Sequence, residues 1–317
     1  MRILLASPID PGTTATLRAR HEVLDAGPDD LREAVGDAEV IVLRSGPILS
    51  AEVLSAAPGL RAVIRAGSGL DNIDLECARA QGIRVVRIAG MSGPPVAEMT
   101  FALLLALARN VTLADRLIRQ GDWPKPQLGG PLLQGKTLGV VGAGNIGTLV
   151  GQMGHAWGMQ VLGCVARPSQ EAAEQLATRG MTLRAFDDLI EDAHFVTLHV
   201  PLDGSTHHMV DADVLGRMRP GSLLVNMARG GVVDEKALYE ALTQGDRVAG
   251  AALDVHETEG QGVVSPLAEL PNVVLTPHIG AMALDTQRLI GTRVLELVEA
   301  CREERLTEEV AHGELVV

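Results

Sequence analysis

Arg229, Glu259 and His278 stand in three separate stretches, NMARGGVVDE, DVHETE and TPHIG, and each follows an apolar run: LLVN, AGAALD and VVLT. Short apolar runs bounded by Gly, Pro and Asn read as buried β-strands, so each reactive side chain falls on a loop leaving the carboxyl end of a strand. That end is where ligands of open α/β sheets bind. The three groups suffice for hydride transfer to a 2-oxo acid. A guanidinium holds a carboxylate bidentately and polarises the carbonyl. An imidazole gives the oxygen its proton, and a carboxylate beside the imidazole stabilises the cationic form and fixes the tautomer.

A hydride needs a carrier. The run LGVV leads straight into Gly142, Ala143, Gly144, Asn145, Ile146 and Gly147, then into a helical stretch through Trp157. Gly142 and Gly144 permit a tight turn and the close approach of a pyrophosphate, and Gly147 lets helix and strand pack closely. The N–H groups and dipole at the helix start favour the anion. A dinucleotide site is expected here. The next strand, Gln160 to Val165, should end in Asp or Glu if the ribose carries a free 2′-hydroxyl, but the chain continues Ala166, Arg167, Pro168, Ser169. The Arg167 guanidinium and Ser169 hydroxyl stand where a carboxylate would repel a 2′-phosphate. NADP is favoured; NAD stays open, because Arg167 also reads as an ordinary surface arginine.

The elements that must position these residues follow a βα rhythm. RILLA, EVL, EVIVL, LRAVIRA and IRVVRI alternate with helical segments up to about residue 90, then a turn at Gly90 to Pro95 leads into a helix of about 25 residues ending near Gly121. A second series has strands at Thr137 to Val141, Gln160 to Val165, His194 to Val200, Leu223 to Asn226, Val248 to Leu253 and Val273 to Thr276. Such alternation implies parallel sheets. Asp234 is expected to cap a helix over Glu235 to Thr243 that Gly245 stops. A last amphipathic helix, Asp285 to Glu304, carries Leu289, Val294, Leu297, Val298 and Cys301 at roughly helical spacing, a stripe that either packs on the first domain or meets another subunit. The expected division is 1–95 plus 285–317 for one domain and 96–284 for the other.

The 317 residues suit two domains at about 150 residues each. With 46% hydrophobic and 21% charged residues the chain reads as globular, and a net charge of −13 argues against nucleic acid and anionic membrane partners. The apolar stretch Met99 to Ala108 falls short of the roughly 20 residues that span a bilayer, and the opening run, broken by Ser7, Pro8 and Asp10, predicts a strand rather than a secretion signal. Cys77, Cys164 and Cys301 lie far apart and read as reduced thiols of a cytoplasmic protein. No metal site is expected. His207 and His208, neighbours on an extended segment, face opposite ways, and His155, His194, His199 and His312 lack a ligand pattern. Asp71 and Asp74 read as turn and cap residues.

These stretches resemble the D-isomer-specific 2-hydroxyacid dehydrogenases over nearly the whole chain. The motifs are RAGSGLDNID at 65–74, VAEMTFALLLALAR at 96–109, GVVGAGNIG at 139–147, HVPL at 199–202, NMARGGVVDE at 226–235, AGAALDVHETE at 249–259 and NVVLTPHIGA at 272–281. The resemblance implies two Rossmann-like, doubly wound parallel-sheet domains (α/β) with an active-site cleft between them, both termini in the substrate domain, and a homodimer formed through the cofactor domain. It makes Arg229 the substrate-binding arginine, His278 the general acid/base and Glu259 its partner. It places Asn145 and Ile146 on the pyrophosphate and the backbone of Ser68 and Gly69 on substrate carboxylate and cofactor. Ala228, Asp254 and Gly280 fall beside the nicotinamide, and Val200 of HVPL on the cofactor. Val165 corresponds to the acidic position of the NAD enzymes, and Arg167 is similar to the basic residue of the NADP-using reductases. His256 stands where the family often has Phe, Gly260 where Pro is common, and Ser92 to Pro95 lacks the usual polar residues.

The expected function is NADP(H)-linked reduction of a small 2-oxo acid such as glyoxylate or hydroxypyruvate to a D-2-hydroxy acid. Two alternatives stand beside it: an NAD-dependent enzyme similar to phosphoglycerate dehydrogenase, needing extra cations near Arg44 or Arg87, and a cofactor-sensing binding protein of the same fold.

Overall fold

The computed structural model describes every residue except Asp29 and Ala311 to Gly313, so His312 lies outside the described residues. The chain forms two compact units, Met1–Ser92 with Ala281–Val317, and Gly93–Gly280.

The first unit holds strands β1 (Arg2–Leu5), β2 (Glu22–Asp25), β3 (Val40–Leu43), β4 (Ala62–Arg65) and β5 (Arg84–Arg87) in a parallel sheet of order β2-β1-β3-β4-β5. Successive side chains of a strand point to opposite faces, and both faces are covered here. Ile3, Leu5, Val40, Val42, Ala62 and Ile64 pack on one side; Leu4, Ile41, Leu43, Val63 and Val85 pack on the other. That explains near-continuous apolar strands without polar alternation. The helix Leu284–Arg302 covers the first face with Ile290, Val294, Leu297, Val298 and Cys301. Leu289, expected in that stripe, is exposed, and Ile290 takes its place.

The second unit holds β6 (Thr137–Val141), β7 (Gln160–Cys164), β8 (Met181–Leu183), β9 (Phe195–Leu198), β10 (Ser222–Asn226), β11 (Val248–Leu253) and β12 (Val273–Leu275), all parallel, in the order β12-β11-β10-β9-β6-β7-β8. Strand order reverses between β6 and β9, which opens a crevice outside their carboxyl ends. Both sheets thus form Rossmann-like domains.

The long helix expected after Gly90 is two helices. Gly93–Ala108 already includes Pro94 and Pro95, read above as turn residues, and Val111–Arg119 follows at a bend of 60°. Asn110 takes a left-handed φ of +53° at the break, a conformation Asn tolerates better than most residues, and its side-chain amide donates to the Gly129 carbonyl at 3.0 Å. Among the described residues no single helix is long and apolar enough to cross a membrane. Asp234 caps the helix Glu235–Gln244 through the Ala237 N–H at 2.9 Å, and Asp74 caps Leu75–Ala80 through the Cys77 N–H at 2.9 Å.

Candidate active site

Arg229, Glu259 and His278 all belong to the second unit, on the segments that follow β10, β11 and β12. The His278 Nδ1 lies 2.9 Å from Glu259 Oε2, both side chains being partly open to solvent. The other carboxylate oxygen, Oε1, accepts the His256 backbone N–H at 3.1 Å. Burial pushes the Glu259 carboxyl up, but the hydrogen bond and charge of His278, the His256 N–H and the His256 charge outweigh it and hold the group below the usual range. Since Nδ1 donates to a carboxylate, Nε2 is the ring atom left to exchange a proton with a substrate.

Buried side chains that the sequence reading passed over, or placed only on the cofactor, hold these loops. Asn226, fully buried at the end of β10, accepts the Ala228 N–H at 3.0 Å and donates to the Arg229 carbonyl at 2.9 Å. It closes the turn in which Arg229 Nη1 meets the Ala228 carbonyl at 2.8 Å. Asp254, 2% exposed, accepts from Thr276 Oγ1 at 2.6 Å, the Ile279 N–H at 2.9 Å and the Gly280 N–H at 2.7 Å, and its carbonyl accepts the His278 N–H at 2.7 Å. This clamp fixes His278 at a left-handed φ of +54°, a strained conformation for that residue. Two close approaches join the loops: a Cβ on Gly230 would lie 1.9 Å from the His256 carbonyl oxygen, and one on Gly280 would lie 2.8 Å from Met227 Cε. The Arg229, Glu259 and His278 loops are therefore in mutual contact.

The glycine turn links β6 to the helix Asn145–Ala156. Gly142 has φ +88°, and a Cβ there would meet the His199 backbone at 2.8 Å and Val200 Cγ1 at 2.9 Å. On Gly147 it would meet the Gly142 carbonyl oxygen at 2.3 Å, whereas on Gly144 it would meet nothing within 4 Å. No side chain caps this helix start, and Gly144 and Asn145 are exposed, with Ile146 half-buried. A cradle with bare glycine backbone, an uncapped helix start and open space suits a pyrophosphate. Val200 lines this turn, whereas Ala228, Asp254 and Gly280 are buried among the loops that carry Arg229, Glu259 and His278.

After β7 no acidic residue appears before Glu171, and Arg167 is exposed. The Ser169 hydroxyl accepts the Ala172 N–H at 3.1 Å as the cap of Gln170–Ala177, so one of its lone pairs is committed to the helix. Ser68 and Gly69 lie half-buried in the first unit, after β4. His199 is neutral: burial pushes it down to about 3, and its Nε2 meets Thr197 Oγ1 at 3.0 Å. The rings of His207 and His208 do not point apart. They stack at 4.0 Å between centroids because His208 takes φ +51° and the segment is not extended. Among the described residues no three His, Cys, Asp or Glu side chains form a metal-sized cluster.

Glu235 shows what spacing leaves hidden. It reads as an ordinary acidic first-turn residue, yet it is 7% exposed and accepts the Glu257 N–H at 2.8 Å and the Ser265 hydroxyl at 3.0 Å. Asn226 carried a usable signal, an Asn at a strand end where its amide can close a turn.

Comparison with known proteins gives a consistent family. Residues 101–280 match the family model described as D-isomer specific 2-hydroxyacid dehydrogenase, NAD binding domain. The chain is 38% identical over 315 residues to D-3-phosphoglycerate dehydrogenase of Methanocaldococcus jannaschii, covering 98% of this chain but 59% of that enzyme's length. It is 36% identical over 304 residues to hydroxypyruvate reductase of Thermotoga maritima, covering 94% of this chain and 97% of that one. Among solved structures, the TT0316 protein of Thermus thermophilus superposes with a TM-score of 0.87 at 34% identity, over the whole of both chains.

Proposed function

The chain belongs to the D-isomer specific 2-hydroxyacid dehydrogenase family, and from that premise we propose that it reduces a small 2-oxo acid of the glyoxylate or hydroxypyruvate type to the D-2-hydroxy acid with NADPH. The observation that carries this reading is the His278–Glu259 pair at 2.9 Å, on loops in contact with the Arg229 loop. Gly142, Gly144, Asn145, Ile146 and Gly147 would hold the pyrophosphate, with Val200 against the turn. Bound there, the nicotinamide supplies or takes up the hydride. Arg229 binds the substrate carboxylate with two parallel N–H donors and so orients the neighbouring carbonyl. His278 Nε2 protonates the oxygen as the carbonyl carbon is reduced and takes that proton back in the reverse direction. Ionised Glu259 keeps Nδ1 protonated and the ring in place.

NADPH is preferred over NADH on the strength of Arg167, whose guanidinium is exposed at the end of β7 with no acid where a 2′-phosphate would sit. The free thiols of Cys77, Cys164 and Cys301 fit a reducing, cytoplasmic setting. A homodimer is supported by the helix Val111–Arg119, none of whose residues is fully buried within the chain, by Val111 and Ile118 exposed on it, and by Trp123 and Leu132 exposed after it in sequence.

A second reading, that the substrate carries a phosphate as 3-phosphoglycerate does, is favoured by Arg44 of the first unit. Burial pushes its pKa down, its Nε is buried without a partner, and its Nη1 meets Met282 Sδ at 2.8 Å rather than a carboxylate.

The test is steady-state oxidation of NADPH and NADH with glyoxylate, hydroxypyruvate and phosphohydroxypyruvate. Turnover is expected, with Arg229→Ala and His278→Ala lower by roughly 10²- to 10⁴-fold. Arg167→Ala should erode the NADPH preference by about 1 to 3 kcal/mol. Tight NADPH binding with no turnover of any acid would replace this reading with that of a cofactor sensor, and turnover confined to the phosphorylated acid would replace it with the second reading.

A further inference from the structure

We propose that His256 is a positioning residue that couples the loop carrying Glu259 to the loop carrying His278, a role resting on the catalytic reading above. Its backbone N–H donates to Glu259 Oε1 at 3.1 Å, and its ring Nε2 lies 3.0 Å from the Thr276 carbonyl oxygen, two residues before His278. Its own carbonyl is pressed against Gly230, next to Arg229, so closely that a Cβ there would overlap it. One residue thus touches all three catalytic loops.

The direction of the ring's hydrogen bond follows from its partner. A carbonyl oxygen only accepts, so Nε2 carries a hydrogen and donates it to Thr276. Nδ1 is buried without a hydrogen bond and faces Glu235 Oε1 at 3.9 Å, with side-chain exposures of 14% and 8%. Glu235 cannot turn away, because its two oxygens hold the Glu257 N–H and the Ser265 hydroxyl. Of the other acids on its own loop, Glu259 feels the charge of His256, Glu257 is paired with His208 at 2.6 Å, and Asp254 is committed to Thr276, Ile279 and Gly280. Glu235 fixes the back of the loop, and the Nε2–H bond to Thr276 sets the spacing at its front. A phenylalanine fills the same space but cannot donate to the Thr276 carbonyl.

His256→Phe and His256→Gln test the role, since the Gln amide can still donate to the Thr276 carbonyl. His256→Phe should lower kcat roughly tenfold at little change in cofactor KM, because a small misplacement of an acid–base pair costs about that much. Its alkaline rate limit should move to lower pH, in the direction Glu259→Gln moves it but less far; His256→Gln should restore both to near wild type. Wild-type kcat and pH profile in His256→Phe, or a Gln variant no better than Phe, would overturn the proposal. If His256→Phe does not fold, ¹⁵N spectra of the wild-type ring decide: a hydrogen on Nε2 at neutral pH supports the coupling, and a ring protonated on Nδ1 alone overturns it. Failure of the catalytic reading is separate, since it would show as undiminished turnover in His278→Ala.

Discussion

A carboxylate 2.9 Å from an imidazole stabilises the protonated ring, and the ring in return keeps the carboxylate ionised. The direction of the Glu259 shift records the second half of that exchange. Two consequences can be measured. The proposed reduction needs His278 protonated, so Glu259→Gln, which removes the negative partner, should move the alkaline limit of kcat to lower pH while leaving the cofactor dissociation constant unchanged; an unmoved limit would remove Glu259 from the proposed proton chemistry. The same shift bears on stability. A group ionised more readily in the folded state contributes stability above the ordinary Glu range and loses it as pH falls through the lower folded value. Denaturant titrations should therefore show a smaller acid-side loss in Glu259→Gln than in wild type. Arg229, Glu259 and His278 were legible because each has a chemical type that a strand-end loop rarely needs for folding. Asn226 and Glu235 were not recognised, because their work depends on which backbone groups they meet.

The glycine turn separates two roles that its three glycines share. Gly147 lies where a Cβ would overlap the Gly142 carbonyl, so the helix cannot sit this close to the turn with any larger residue. Gly144 borders open space at an ordinary negative φ. Gly144→Ala should leave the thermal midpoint nearly unchanged and raise the dissociation constant of the nicotinamide cofactor, by about 1 to 3 kcal/mol if it removes a backbone hydrogen bond to phosphate. Gly147→Ala should lower the midpoint as well. Equal loss of stability in both would show that the turn serves packing alone. Strand positions were readable to within a residue or two at this scale, since apolar runs buried on both faces leave a continuous signature. β8 reads Met-Thr-Leu with Thr182 exposed, so it leaves no continuous apolar run, and the split at Asn110 was missed because no Pro or Gly marks it.

At the scale of the whole molecule, the proposed homodimer would bury the helix Val111–Arg119, which has an apolar side but only half-buries Leu113, Ala114 and Leu117 within its own chain. Sedimentation velocity should give about twice the 33.4 kDa chain mass, and Ile118→Asp with Trp123→Ser should shift it toward the monomer; a wild-type monomer at micromolar concentration would end that proposal. What the sequence determined by itself is the pair of parallel sheets, the glycine turn between β6 and its helix, and the strand-end positions of Arg229, Glu259 and His278, because strand periodicity, glycine spacing and chemical type are local properties of the chain. What only the tertiary structure decided is how those groups are held. The Asp254 clamp, the Glu235 anchor and the His256 crosspiece join residues about 20 or more positions apart, and a hydrogen bond depends on distances near 3 Å that no local pattern encodes.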